Sequence, residues 1–195
     1  AAAGRCGTPR TSRYTPRMRF APEYVRHVLS ENFEDAKAQF LEPLMAIHYA
    51  HLVMLAAQGI VSSGDARAIR LALDGVSQDQ VRQVVYDGSY EDLFFYVERL
   101  IVERCGEAAA GCLHTARSRN DIDATMYRMR LRDVVLDLLA ASHRLRAELL
   151  ELAGRHRDTV FVVHTHTQRA QPTTVGHYLL AVVEQSERDA IRLQA

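Results

Sequence analysis

From Asp121 to Arg155 the chain runs without a proline, and Leu131, Val134, Val135, Leu138, Leu139, Leu145, Leu149 and Leu152 recur along it at helical spacing. A single helix over this stretch is about 50 Å long at 1.5 Å per residue. That is long for a self-contained domain of this size. Its apolar stripe needs cover from other parts of a bundle or from other subunits, which points to a central helix bundle that continues beyond this stretch.

Nearly everything else after residue 20 also reads as helix. Phe33 to Gln58 places Phe40, Leu44, Ile47, Ala50, His51 and Leu55 at helical spacing, with Pro43 expected to kink or split it and Gly59 to stop it. Ser62 and Ser63 can cap a short helix over Gly64 to Val76, and Gln78 to Val85 is a further apolar patch. Asp87-Gly88-Ser89 is a turn, and Tyr90 to Cys105 is helical until Gly106. Val160 to Val163 is a brief β-branched run, expected to connect helices in a strand-like form. Thr173 or Thr174 then caps a last helix through Leu193. The expected class is all-α. A basic flexible tail (1–19) precedes a small N-terminal helical domain (20–118), and 119–195 forms the first, incomplete part of a bundle. No Gly-rich phosphate loop or alternation of strand and helix suggests a nucleotide-binding fold.

Lysine plus arginine number 24 and aspartate plus glutamate 24, so no net field draws in nucleic acid. The basic run at Arg5, Arg10, Arg13, Arg17 and Arg19 reads as a solvated leader. No stretch reaches the roughly 20 apolar residues of a membrane-spanning helix. Cys6, Cys105 and Cys112 are odd in number and lack Cys-x-x-Cys spacing, which fits reduced thiols in the cytoplasm and no zinc site.

Two polar stretches interrupt the apolar periodicity. The first is His114-Thr115-Ala116-Arg117-Ser118-Arg119-Asn120-Asp121, just before the long helix. Ser118 and Asp121 have capping-box spacing, with Ser118 as N-cap. Free N–H groups, the helix dipole and two arginines at the same place also suit a carboxylate. The second is His164-Thr165-His166-Thr167-Gln168-Arg169-Ala170-Gln171-Pro172. It reads either as a hydrogen-bonded loop or as a histidine poised for proton transfer beside the neutral donors Thr165 and Gln168. No Cys or carboxylate lies close enough in sequence to complete a metal site there.

These stretches resemble the two signature blocks of the argininosuccinate lyases, His-Thr-Gly-Arg-Ser-Arg-Asn-Asp and Thr-His-x-Gln-Arg-Ala-Gln-Pro, the latter followed by a Gly-His that here is Gly176-His177. Glu91-Asp92 with Glu98-Arg99, and Ala50-His51 through Gly59-Ile60, resemble upstream segments of the same family. The resemblance implies a fumarase/aspartase-like fold and a cytoplasmic homotetramer whose active sites are shared between subunits. It implies reversible cleavage of argininosuccinate to arginine and fumarate in arginine biosynthesis, with no metal or organic cofactor. Carried over by position, Arg117, Ser118, Arg119, Asn120, Thr165 and Gln168 bind substrate, His166 is the acid–base catalyst, and Gln171 supports.

Several positions depart from the family pattern. Ala116 stands where the family has glycine, a strain if the turn needs positive φ. Leu44 and His48 replace an aspartate and a serine, Phe94 replaces a histidine, and Ile122 and Met126 replace polar residues. The family's serine-bearing mobile loop has no counterpart after His177, so the expectation is an incomplete portion of a longer protein. A non-catalytic structural homologue, or a lyase for a different amino-acid substrate, are the alternatives.

Overall fold

The computed structural model describes residues 20–194. The basic run and Cys6 lie outside the described residues. The chain forms two compact units, one up to Arg130 and one from Leu131 onward.

The first unit opens with α1 (Pro22–Tyr24), which passes through a π-helical stretch, Val25–Leu29, into α2 (Ser30–Gln39). Ser30 Oγ donates to the Val25 carbonyl at 2.8 Å at the end of the wider turn. α3 (Leu41–Ala57) follows at once. The expected split therefore occurs, but at Phe40, whose φ of −123° leaves the helix, and not at Pro43. Pro43 sits in the first turn of α3, where its missing N–H would have no intrahelical acceptor in any case. Gly59 at φ 66° closes α3, and Ile60 N–H reaches back to the Leu55 carbonyl at 3.0 Å.

Ser62 accepts from Asp65 N–H at 3.1 Å and caps α4 (Ser63–Asp74). Ser77 caps the short α5 (Gln78–Gln83). α6 (Leu93–Cys105) starts three residues later than the expected Tyr90, because Asp92 supplies its N-cap. α7 (Glu107–Cys112) follows Gly106 and has too few residues to register as a period in the sequence.

The core of this unit is built by Phe33, Leu41, Leu44, Leu55, Ile69, Leu73, Val97, Ile101 and Leu113, all essentially buried. Lys37 is buried as well. Its Nζ donates to the carbonyls of Arg82 and Val84 at 3.3 and 2.6 Å and pairs with Glu34 at 2.8 Å, so α2 is tied to the end of α5. Among the described residues no single helix is long and apolar enough to cross a membrane. The continuous run Pro22–Gln39 and α3 pass such a test only as a pair bent by 67°. α3 also buries Leu41, Leu44, Met45, His48, Leu52 and Leu55 in the core.

The long helix is present as α8 (Arg119–Arg155), 37 residues that begin in the first unit and run into the second. Within the second unit its later part is followed by an antiparallel hairpin of β1 (Val160–Thr165) and β2 (Gln168–Thr174), then by α9 (Val175–Gln194). The strand-like connector is thus one half of a two-stranded sheet. Thr174 is the residue that caps α9, accepting from His177 N–H at 3.2 Å. Ser142 and Ser186 meet at 3.0 Å between the two helices. Leu139, Ala153, Val183 and Ala190 are buried, whereas Leu131, Val134, Leu138, Leu145, Leu150, Leu180, Val182 and Ile191 remain exposed. Within this unit the apolar stripe is mostly uncovered.

Candidate active site

The start of α8 is fixed by its own sequence. Asp121 N–H donates to Ser118 Oγ at 3.3 Å, while Ser118 N–H donates to the Asp121 carboxylate at 2.7 Å. This is the reciprocal capping box expected from the spacing, and the Ser118 contacts hold the Asp121 carboxyl below its usual range. The turn that delivers the chain to it requires Ala116 at φ 60°, a left-handed conformation natural to glycine. The strain anticipated for an alanine here is therefore real.

Arg119 leaves the first turn of α8 toward α6. Its Nη2 donates to Asp92 Oδ2 at 2.6 Å, its Nη1 pairs with Asp123 one turn along, and its Cζ lies 4.7 Å from the centre of the Phe94 ring. Together these groups line a cavity of about 390 Å³. Asn32, Asp35 and Tyr127 supply polar lining, and Phe40, Leu44, Phe94 and Met126 supply apolar walls. Leu44, Phe94 and Met126 are three of the positions where the sequence departs from the argininosuccinate lyase pattern. All three face one space.

Arg117 turns the other way, toward α3. Its Nη2 lies 2.9 Å from Nδ1 of the fully buried His48. Burial lowers the guanidinium pKa to about 10, with Glu98 acting in the opposite direction. It is still cationic at neutral pH. Its Nε and Nη1, and His48 Nε2, are buried with no hydrogen-bond partner among the described residues. His114 pairs with Glu98 at 3.1 Å and packs edge-on to Phe94 at 5.6 Å. His51 Nε2 lies 2.9 Å from the Thr115 carbonyl, so that nitrogen is the donor. Burial, with smaller contributions from Arg117 and His114, pushes the His51 ring below its usual pKa, while the Thr115 bond resists.

In the second unit the other signature stretch forms the hairpin tip. Thr165 pairs with Gln168, and the two residues between them, His166 and Thr167, have φ of 50° and 63°. This is the geometry of a type I′ turn, which usually recruits Asn-Gly. A β-branched threonine is costly in that position. Thr167 Oγ1 donates to the His166 carbonyl at 2.6 Å. Thr165, His166, Gln168 and Gln171 are exposed. Behind the hairpin, Gly176 lets α9 approach the end of α8: a Cβ there would lie 2.8 Å from the Ala153 carbonyl oxygen.

The expected substrate-binding residues thus fall in two groups. Arg117, Ser118, Arg119 and Asn120 surround the start of α8 in the first unit, where Ser118 is engaged in the cap and Asn120 is exposed. Thr165, His166 and Gln168 sit together at the hairpin tip of the second. Asp123 joins the expected residues on the cavity wall, and its four-residue spacing from Arg119 on a helix is a readable signal of that pairing. Glu98 has no role in the sequence beyond its place in a resembling segment. Among the described residues no group of three or more His, Cys, Asp or Glu is arranged to hold a metal ion.

Comparison with known proteins gives the family. A family model described as Lyase matches residues 27–195. Argininosuccinate lyase 2 of Agrobacterium fabrum is 41% identical over 172 residues, which is 88% of this chain and 34% of that protein. The argininosuccinate lyase of Methanocaldococcus jannaschii is 39% identical over 144 residues, 74% of this chain and 30% of that protein. Among solved structures, an EDDS lyase in complex with formate is similar with a TM-score of 0.71 and 34% identity over 89% of this chain and 34% of that one. A fumarate lyase from Mesorhizobium sp. BNC1 shares the fold, with a TM-score of 0.67 and 24% identity over 85% of this chain and 40% of that one. The fold and these matches place the chain in the fumarase/aspartase superfamily, whose family model is described as Lyase. Within it, the chain belongs to the argininosuccinate lyase family. It spans about a third of the length of the curated relatives it matches.

Proposed function

We propose that this chain contributes part of the active site of a carbon–nitrogen lyase that cleaves argininosuccinate reversibly to arginine and fumarate, as a step of arginine biosynthesis. The observation that carries this reading is the cation-rich, capped start of α8, with Arg119 on the wall of the cavity. Elimination beside a carboxylate builds negative charge on that carboxylate as the proton leaves, so fixed donors around it are the main source of rate. Arg119, Asn120 and the free N–H groups of the α8 start serve as such donors, and Arg117, turned onto His48, holds the chain that leads to them. Thr165 and Gln168 add neutral donors, and His166, held at a strained exposed turn, moves the proton. The apolar stripe left uncovered on α8 and α9 supports a homotetramer in which subunits share the active sites.

A second reading has its own observation. Leu44, Phe94 and Met126 make one wall of the cavity apolar, which favours a lyase acting on a different amino-acid-derived substrate. Fumarate release followed by ultraviolet absorbance, from argininosuccinate and from a panel of analogues, tests both on the longest natural form of the protein. Turnover of argininosuccinate that is abolished by His166→Ala supports the first reading, and turnover of an analogue alone supports the second. No turnover of any substrate, with assembly unchanged, would leave a structural homologue as the answer.

A further inference from the structure

The contact between His48 and Arg117 has a chemical requirement that neither residue shows alone. A guanidinium has donors only and keeps its proton, so the ring nitrogen 2.9 Å from Arg117 Nη2 must be the acceptor. His48 is therefore neutral in this arrangement, with Nδ1 bare and the proton on Nε2. No alternative tautomer keeps the bond, because a proton on Nδ1 would set two donors against each other. The ring is fully buried, its Nε2 has no partner among the described residues, and its faces look toward the Phe94 ring at 6.2 Å.

The surroundings are one-sided in charge. From its own helix α3, His48 faces His51; from the 113–118 segment it faces His114 and Arg117. α6 contributes Phe94 and, against His114 and Arg117, the carboxylate of Glu98. That carboxylate is already shared by two cationic or protonatable groups. A proton added to His48 would find no acceptor and an adjacent arginine.

We infer that His48 is a positioning residue: as the bare-Nδ1 tautomer it anchors Arg117 on α3, fixes the strained segment 113–118 that sets the start of α8, and lets go of it in acid. The segment has few other ties to α3. His51 Nε2 to the Thr115 carbonyl is the second tether, and Ala116 between the two anchors sits at φ 60°. Leu113 in the core and His114 on Glu98 hold the start of the segment, so the failure of the Arg117 anchor frees the strained Ala116 end of it. The burial that lowers the affinity of His48 for a proton sets how far into acid the anchor lasts. Only the meeting of the α8 start with substrate is taken from the proposed activity, and no ligand enters the test, so the two can fail separately.

The test is a long-range proton–nitrogen spectrum of the 195-residue chain labelled with 15N, recorded from pH 8 to pH 5, together with amide exchange over residues 113–118. His48 is expected to show an unprotonated Nδ1 and a protonated Nε2, and to hold that signature well below pH 6.5 before it is lost in acid. In the wild type the protection of 113–118, taken relative to the intrinsic exchange rate, falls in acid; in His48→Asn the amide oxygen takes the place of Nδ1, so protection is kept and no longer falls in acid. In His48→Leu the same amides exchange at least tenfold faster at pH 8. A proton on Nδ1 of His48, titration of His48 together with the exposed histidines, or equal exchange in the Asn and Leu variants would each overturn the assignment. The wild-type spectrum alone decides the tautomer if the Leu variant does not fold.

Discussion

Asp92 divides its carboxylate between two helices: Oδ1 accepts from Phe95 N–H at 3.1 Å and caps α6, while Oδ2 accepts from Arg119 Nη2 at 2.6 Å at the start of α8. One side chain thus fixes both the helix that carries Phe94 and the guanidinium that stacks on it. The Arg119 wall of the cavity depends on the same residue that starts α6.

Removing that carboxylate should cost more than a cap. Loss of an N-cap alone costs about 1 kcal/mol. The ion pair adds up to about 1 kcal/mol, since the Arg119 side chain is 31% exposed and partly screened. Asp92→Ala is expected to lower stability by about 2 kcal/mol, and Asp92→Asn, which can still cap, by about half as much. Urea unfolding at constant slope checks both; equal losses in the two variants would show that the cap contributes nothing.

Ala116 offers the opposite sign. A left-handed alanine costs roughly 1–2 kcal/mol, and glycine recovers this less the roughly 0.4–1 kcal/mol of added freedom in the unfolded chain. Ala116→Gly should therefore raise stability by about 0.5–1 kcal/mol, read as a higher denaturation midpoint. A lower midpoint would mean that the alanine methyl makes packing contacts worth more than the strain.

How much of this was readable beforehand follows from the range of each interaction. The extent of α8, the Ser118–Asp121 box and the Gly59 stop were legible because each rests on neighbours within a turn or on a sustained period. The break at Phe40 was misplaced to Pro43 because proline disrupts a helix only beyond its first turn. The pairing of Arg117 with His48, 69 residues away, and of Arg119 with Asp92, 27 away, depends on how helices pack. No local pattern encodes it. The hairpin was hidden because its turn is His-Thr where Asn-Gly is usual, and because Pro172 opposite Val162 argues against a strand.

Gly176 is intolerant for a reason in the backbone. A Cβ would stand 2.8 Å from the Ala153 oxygen and 3.0 Å from Arg157 Cα, neither of which can swing aside. Gly176→Ala should force α9 off the end of α8 and cost about 2–3 kcal/mol, in line with overpacking of a tight contact. Amide exchange of Val175 and Gly176, which donate to the carbonyls of Thr159 and His156, localises the loss. Unchanged protection at both amides would refute the close-approach account.

His48 makes stability depend on pH with a defined sign. Burial, aided by Arg117, keeps its folded pKa well below 6.5, so the unfolded chain binds the extra proton first as pH falls. The stabilisation is complete above about 6.5 and is lost going downward until the folded ring itself titrates, at up to about 1.4 kcal/mol per pH unit. Other groups also titrate in acid, so the measured quantity is the difference between wild type and His48→Asn from pH 7 to pH 5. That difference should shrink or reverse toward pH 5; a constant difference would mean that His48 carries no proton linkage.

The hairpin tip gives a last test of stored strain. Thr167 at φ 63° is β-branched and left-handed, and its hydroxyl donates to the His166 carbonyl at 2.6 Å. Thr167→Gly removes a penalty of roughly 1–2 kcal/mol and adds unfolded-chain freedom worth somewhat less, for a net gain of about 0.5 kcal/mol. Exchange of the Thr165 and Gln168 amides should then slow by about twofold. Because His166 occupies the other left-handed position of the same turn, its backbone is held only as firmly as Thr167 allows. Faster exchange in the glycine variant would show that the hydroxyl contact outweighs the strain, and that threonine here stiffens the turn under His166.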